Sequence, residues 1–313
     1  MTVTVPQVLV IGDLMLDVFS EGHASRLSPE APVPILANPR HRRVLGGAGN
    51  TALNAHPLGA SVALATFVGN DEAGRTCAAL LDDNQIGSAL ILAPESVTTV
   101  KTRFVAAGQQ IMRLDIESPL ISDASHDRLL AAVAGMVDTI GCIVISDYQK
   151  GAIAGAVARG VIDIAQHLGV PVTVDSKCRD FTMYRGASVI TPNHLEASNA
   201  TGEADPERAA KVLSDVTQGE VIVTLGADGM LVHTGERVER IPSQVREVAD
   251  VTGAGDTVTA AVAVALAEGA TAVEAARWAT AAAAVAVEHR GTYAVKREQV
   301  EQALTERGRV LPL

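Results

Sequence analysis

Val8-Leu9-Val10-Ile11-Gly12-Asp13-Leu14-Met15-Leu16-Asp17 stands near the start of the chain, and its reading decides the fold class. Four apolar residues in unbroken succession describe a strand with no polar face, which suits a sheet covered by helices on both sides. The run ends in Gly-Asp and not in G-x-G-x-x-G, so the fingerprint of a nicotinamide-dependent dehydrogenase is missing from the turn where it belongs. Asp17 follows just beyond the carboxyl end of that strand, where open α/β sheets bind ligands. It reads either as a turn-forming aspartate or as an acceptor for two sugar hydroxyls.

Similar runs recur at 62–67, 142–145, 172–174, 189–190 and 221–225. Helical patterns fill the intervals at 49–55, 72–84, 126–137, 153–168, 193–200 and 206–216, and two long helices follow at 255–268 and 271–289. Such alternation predicts an α/β fold with a doubly wound, mostly parallel sheet. Two segments break the rhythm. Residues 18–45 carry Pro29, Pro32, Pro34 and Pro39 around an apolar run at 33–37. Residues 97–116 alternate as Val100, Thr102, Phe104 and then Ile111, Arg113, Asp115. They read as exposed strands of a small β-sheet lid, or as long surface hairpins. Without repeats or a low-complexity linker, residues 1–313 are expected to form one domain with that lid.

Composition narrows the function. Hydrophobic residues make up 48% of the chain, the aromatic share is 3% and the formal net charge is −11. A sizeable core is affordable, whereas an aromatic stacking platform or a phosphate-backbone groove for nucleic acid is disfavoured. Cys77, Cys142 and Cys178 show no metal or redox spacing, and buried thiols in a reducing compartment are expected. The eight histidines form no zinc motif. The N-terminus lacks a signal-peptide pattern, and charged residues interrupt the Ala-rich stretch at 260–286, so a cytoplasmic protein with no membrane partner is expected.

Chemistry concentrates in Asp250-Val251-Thr252-Gly253-Ala254-Gly255-Asp256-Thr257, which opens a long Ala/Val helix. Small residues let a ligand approach the backbone, and the helix N-terminus offers unpaired N–H groups to an anion. Such amides can hold the oxygens of a migrating phosphoryl group, while Asp256 accepts the proton of the attacking hydroxyl. A capping aspartate beside a glycine turn would explain Asp256 by itself but not the glycines and threonine around it. Gly46-Gly47-Ala48-Gly49-Asn50 is a second glycine-rich helix entrance, with Asn50 able to donate and accept toward hydroxyls. No G-x-x-x-x-G-K-[ST] occurs, which excludes a P-loop enzyme.

The pairing of Gly46–Asn50 with Asp250–Asp256 resembles the two signatures of the ribokinase-like (PfkB) carbohydrate kinases, over essentially the whole chain. That resemblance implies a doubly wound α/β domain with a β-sheet lid, ATP as phosphoryl donor and a requirement for Mg²⁺. It also implies Asp256 as base and the Gly253, Ala254 and Gly255 amides as the anion hole. Gly46, Gly47, Asn50, Asp17 and Asp147 would meet the sugar. Lys177, Asn193, Glu196, Thr224, Gly226, Gly229 and Thr280 would meet the nucleotide. Asn193 and Glu196, one helical turn apart, would hold Mg²⁺ through water, or else cap a helix. Ser176 and Thr280 depart from residues common in the family.

A narrower likeness, to the D-glycero-D-manno-heptose-7-phosphate kinases, lies in Ser25-Arg26-Leu27-Ser28-Pro29-Glu30-Ala31-Pro32-Val33-Pro34, in Gln109–Asp115 and in Ser146-Asp147-Tyr148-Gln149-Lys150-Gly151. It implies phosphorylation of the anomeric C1 hydroxyl of heptose 7-phosphate. Relatives with two activities carry a nucleotidyltransferase domain after the kinase, and none is expected here. Lys101 and Arg103, two apart on a strand, share one face. With Arg26, Arg113 and Lys150 they are candidates for the sugar's phosphate, or form a solvated charged strand. Pairing of exposed lid edges between two copies would give a homodimer. The alternatives are a kinase for ribose, fructose or a nucleoside, and a sugar-phosphate or nucleotide sensor without turnover.

Overall fold

The computed structural model describes residues 7–118, 120–137, 139–245 and 247–308. In chain order the elements are β1 (Gln7–Gly12), β2 (Leu14–His23), β3 (Ala37–Gly47), α1 (Ala48–Ala55), β4 (Ser61–Val68), α2 (Glu72–Asp83) and β5 (Gly87–Leu92). There follow β6 (Thr99–Ala106), β7 (Gln109–Ile116), α3 (Asp123–Ala134), β8 (Cys142–Asp147), α4 (Gly155–Leu168), β9 (Val172–Ser176) and β10 (Val189–Ile190). The C-terminal part holds α5 (His194–Thr201), α6 (Pro206–Thr217), β11 (Glu220–Thr224), β12 (Met230–His233), β13 (Val238–Ile241), α7 (Ala254–Ala267), α8 (Ala272–Val287) and α9 (Arg297–Gly308).

Among the described residues the main sheet has nine strands in the order β13-β12-β11-β10-β9-β8-β1-β4-β5. The seven from β11 to β5 run parallel, and β12 and β13 add an antiparallel edge. Side chains along each parallel strand alternate between two cores, as period-2 geometry requires. Val8, Val10, Cys142 and Val144 face the core shared with α1, α2, α7 and α8. Leu9, Ile11, Ile143 and Ile145 face the core shared with α3 and α4. The doubly wound sheet is as the sequence predicts. β5, the β12–β13 hairpin and α9 are additions to that reading.

The winding of the sheet reverses between β1 and β8. From β1 the chain goes to β4 and β5 on one side, and later to β8, β9 and β10 on the other. Open α/β sheets leave a crevice at the carboxyl ends of the strands flanking such a reversal. Gly12 and Ser146 are paired there, and a Cβ on Gly12 would come within 1.9 Å of the Ser146 carbonyl oxygen. Glycine is therefore required by close approach of backbones. α7 lies over this region, with Ala260, Ala261, Val262, Ala263 and Val264 all at 0% exposure. An apolar helix without a polar stripe is what a fully enclosed position demands.

The smaller sheet has the order β3-β2-β6-β7. It begins and ends outside the predicted bounds, because only Asp13 separates β1 from β2 and because β3 continues to Gly47. Of the apolar run at 33–37, Ala37 alone joins a strand, as the first residue of β3. Pro29, Pro32 and Pro34 supply no N–H for a ladder, and a bridge between Leu27 and Pro34 is the regular pairing in that stretch. Pro39 is accepted within β3 because β3 is an edge strand.

Asp13 joins these parts. Its carboxylate is 3% exposed and accepts the backbone N–H groups of Tyr148 at 2.7 Å, Lys150 at 2.9 Å and Ala152 at 2.9 Å. Its own backbone N–H bonds Ser146 and its carbonyl receives the Ala48 N–H. Burial pushes the Asp13 pKa up to about 6, against the pull of those amides. Asp13→Asn would set an NH₂ group against a backbone donor. The expected loss of stability is about 2 kcal/mol, read from urea unfolding at pH 7.5; an unchanged midpoint would show that the loop at 148–152 is held by other means.

Candidate active site

α7 starts after Gly253, whose left-handed φ of 78° suits glycine. A Cβ there would stand 2.9 Å from Asn50 Nδ2, so the missing side chain lets α7 close against α1. The loop before it is shaped by Asp250, which accepts from Thr252 N–H at 2.9 Å, Thr252 hydroxyl at 2.7 Å and Gly291 N–H at 2.9 Å. Of the amides expected to bind an anion, that of Ala254 already donates to Val251 at 3.2 Å. Those of Gly255 and Asp256 precede the backbone bond from Thr257 N–H to Gly253, where a helix leaves its donors unpaired. Open space faces Gly255: no atom lies within 4 Å of where its Cβ would be.

Asp256 is 6% exposed and points to the helix entrance of α1. Its Oδ2 accepts from Asn50 Nδ2 at 2.6 Å, and its Oδ1 from Thr51 hydroxyl at 3.2 Å and Tyr148 hydroxyl at 2.8 Å. Burial raises its pKa, and the donors Asn50, Tyr148 and Thr51 together with the Lys177 charge pull it back. The result is an ionisable oxygen pair fixed beside unpaired helix amides, the arrangement a general base for phosphoryl transfer needs. Thr51 and Tyr148 are absent from the sequence reading as partners of Asp256. The Ser146–Gly151 stretch is the one signal that points toward Tyr148.

On one side of Asp256 lies a charged knot. Lys177 pairs with Asp175 at 3.0 Å and Glu196 at 2.8 Å. Burial would lower the Lys177 pKa, but the two carboxylates outweigh it and the ammonium is held charged. Burial also pushes Asp175 up to about 6, and its Oδ2 is enclosed without a hydrogen-bond partner. Asn193 and Glu196 form a reciprocal capping box at the start of α5. The Asn193 side-chain oxygen thus accepts the Glu196 N–H at 2.9 Å, so the helix-cap alternative is realised here. Beyond the knot a largely apolar cavity of about 510 Å³ is bounded by Thr224, Gly226, Gly229, Gly255 and Thr280. The Thr280 hydroxyl donates to Ala276 at 2.8 Å within its own helix, so toward the cavity its oxygen is left to accept and not to donate. Gly229, with φ of 87°, is needed because a Cβ would sit 2.0 Å from the Ile241 carbonyl oxygen.

On the other side stands the small sheet. Strand pairing puts Asp17, Phe19, Val44, Arg42, Lys101, Arg103, Asp115 and Arg113 on one face. Asp17 forms an ion pair with Arg103. A Cβ on Gly46 would lie 2.4 Å from Asp17 Oδ2, so that glycine leaves the second oxygen uncovered. Gly47, at φ 58°, brings β3 within reach of the Asp13 carbonyl. Lys101 is half-buried, and burial lowers its pKa against the opposing charge of Asp17. Arg103 also borders a cavity of about 950 Å³ shared with Arg40, Arg42 and Arg290, three arginines that sequence spacing does not single out. Lys150 and Arg113 are engaged by Glu117 at 2.7 Å and Asp115 at 2.9 Å, and Arg26 is exposed in the loop after β2.

Asp147 departs from expectation. It is 2% exposed, with Oδ1 receiving Gln149 N–H at 2.8 Å and Oδ2 receiving the hydroxyls of Ser176 at 2.9 Å and Tyr184. Both oxygens are engaged in holding the end of β8, and at 2% exposure the carboxylate is little open to a sugar.

The profile of the pfkB family carbohydrate kinases matches residues 5–299. The chain is 43% identical over 298 residues to the bifunctional protein HldE of Rhodospirillum rubrum, which covers 92% of this chain and 60% of that protein. It is 42% identical over 302 residues to HldE of Caulobacter sp., covering 94% and 62%. The chain thus spans under two thirds of the length of these relatives. In fold it is similar to phosphofructokinase-2 from Escherichia coli in complex with potassium, with a TM-score of 0.83 at 21% identity over 97% of this chain and 100% of the other. Arabidopsis thaliana ribokinase complexed with ribose and ATP gives a TM-score of 0.72 at 23% identity over 96% and 98%. With its glycine-bounded aspartate at a helix entrance and a profile match along nearly its full length, this chain belongs to the pfkB family of carbohydrate kinases, which carry a phosphoryl group from ATP to a sugar hydroxyl.

Proposed function

We propose that the chain transfers the γ-phosphoryl group of ATP to the anomeric C1 hydroxyl of D-glycero-D-manno-heptose 7-phosphate, giving the 1,7-bisphosphate. The observation that carries the kinase chemistry is the buried Asp256 carboxylate, fixed by Asn50 and Thr51 beside the open space at Gly255. The C1 hydroxyl gives its proton to Asp256 as its oxygen attacks the γ-phosphorus, and the bond to ADP breaks in line. The amides of Gly255 and Asp256 stabilise charge on the migrating group. ATP would lie with its phosphates toward Lys177 and its base in the apolar cavity beside Thr224 and Thr280.

Among the described residues no three His, Cys, Asp or Glu side chains cluster as a metal cage. Mg²⁺ is usually held by one or two carboxylates plus substrate phosphates, and the unpartnered Asp175 Oδ2 with nearby Glu196 fits that mode. Bound there through water, the ion would neutralise phosphate charge.

The choice of heptose 7-phosphate is supported by the Ser25–Pro34 and Ser146–Gly151 stretches and by the identity to HldE. A phosphorylated acceptor also suits Lys101, Arg103, Arg42 and Arg40 on the face turned to the site. The opposite face of β7 carries Met112 at 53%, Leu114 at 47% and Ile116 at 50% exposure. A second copy covering this apolar edge would make a homodimer through the lid. Leu114→Lys is then expected to halve the mass seen by light scattering; an unchanged mass would remove the lid as interface.

Asp256→Asn should bind ATP yet lose kcat by roughly 10²–10⁴-fold. For the unaltered chain, burial of Asp256 places the acid limb of kcat above the ordinary carboxylate value of about 4, with activity gained as pH rises and the base ionises. Near-normal turnover of the Asn variant would refute the mechanism. In an ADP-release assay over ribose, fructose, fructose 6-phosphate, adenosine and heptose 7-phosphate, the last should give the highest kcat/KM. Lys101→Ala and Arg103→Ala should raise its KM more than that of ATP. Best turnover with an unphosphorylated sugar would overturn the substrate assignment.

A further inference from the structure

Tyr148 stands where the acceptor and donor sides of the site meet, and the transfer of the phosphoryl group to the sugar does not use it. Its backbone is pinned at the reversal point of the sheet by the Asp13 carboxylate at 2.7 Å. Its hydroxyl reaches Asp256 Oδ1 at 2.8 Å. The ammonium groups of Lys101, from the small sheet, and Lys177, from the nucleotide side, lie 5.8 and 5.2 Å from its ring centroid, within reach of cation–π attraction. The ring thus lies within reach of both cations, with its oxygen on the base.

The three side-chain donors to Asp256 differ in where they come from. Thr51 is 0% and Asn50 3% exposed, so both support the carboxylate from inside the protein. Tyr148 is partly exposed and approaches from the cleft. A hydroxyl donating to the base from the cleft at 2.8 Å is the contact that an acceptor sugar must make, about 2.6–3.2 Å between heavy atoms.

We infer, on the reading of Asp256 as base, that Tyr148 occupies the acceptor's seat on that carboxylate until a sugar hydroxyl displaces it, and so denies the seat to water. The reaction prevented is hydrolysis. Water would form the new O–P bond, the bond from the γ-phosphorus to ADP would break with its electron pair leaving on ADP, and the water proton would pass to Asp256. A tyrosine suits the guarding role because it supplies the hydrogen bond without the nucleophile. Burial and the Asp256 charge push its pKa well up, so the phenol keeps its proton.

The test measures ADP release with ATP and Mg²⁺, without sugar and with heptose 7-phosphate, against bisphosphate formed. Tyr148→Phe keeps the ring and removes the hydroxyl. Sugar-free ADP release should rise on the order of tenfold, and a larger share of ADP should appear without phosphorylated sugar. Thr51→Val takes a donor from the same oxygen without opening the cleft, and should lower hydrolysis and phosphorylation together. The gain in Tyr148→Phe should vanish when Asp256→Asn is added. Sugar-free release at or below the unaltered level in Tyr148→Phe would overturn the guarding role and leave the base in place. Continued phosphorylation by Asp256→Asn alone would instead overturn the base on which that role depends.

Discussion

One buried carboxylate organises the site. Asp13 occupies the point where the sheet changes its direction of winding, and three backbone N–H groups from the loop after β8 converge on it. A carboxylate at 3% exposure is costly unless its oxygens are satisfied, and here the satisfaction comes from another strand's loop. The two halves of the sheet are thereby locked at their shared end. The same residue receives the Ala48 N–H through its carbonyl, which sets the start of α1. Asn50 and Thr51, one turn into that helix, then meet Asp256. The base is placed by a chain of backbone contacts that begins at the first strand.

Charge is distributed unevenly around this anchor. Asp13, Asp175 and Asp256 are all buried and all pushed toward higher pKa by desolvation, with Lys177 as the cation among them. Taken as a group, Asp13 and Asp175 favour the folded state less as pH rises from about 4 to about 6, because the folded chain binds their protons more tightly than the unfolded chain does. Stability is thus given up at neutral pH for an arrangement that can receive a proton and a phosphate.

Much of the fold is legible in the sequence because its strands are enclosed on both faces. Runs such as 8–11 and 142–145 need no periodicity to be recognised. β5 escapes notice because it is a half-exposed edge beginning Gly-Ser, β12 and β13 because each has four residues, and α9 because its composition is charged on all sides. The glycine turn and Asp256 are legible because they lie within eight consecutive residues, 250–257. Thr51 and Tyr148 are not, since their contacts to Asp256 span 205 and 108 positions. Asp147 shows the limit of a positional rule: the carboxyl end of a parallel strand is a place for ligands, yet an aspartate there can turn inward when Ser176 and Tyr184 offer hydroxyls.

Phe19 on β2 carries a consequence of its own. The Arg42 and Arg103 guanidinium groups stand 4.2 and 5.3 Å from its ring centroid. Stacking of this kind restrains long, rotamer-rich side chains before any anion arrives. The ordering entropy is then spent when the chain folds and not when the ligand docks, so a single aromatic ring makes the arginine pair a rigid receptor instead of a floppy one.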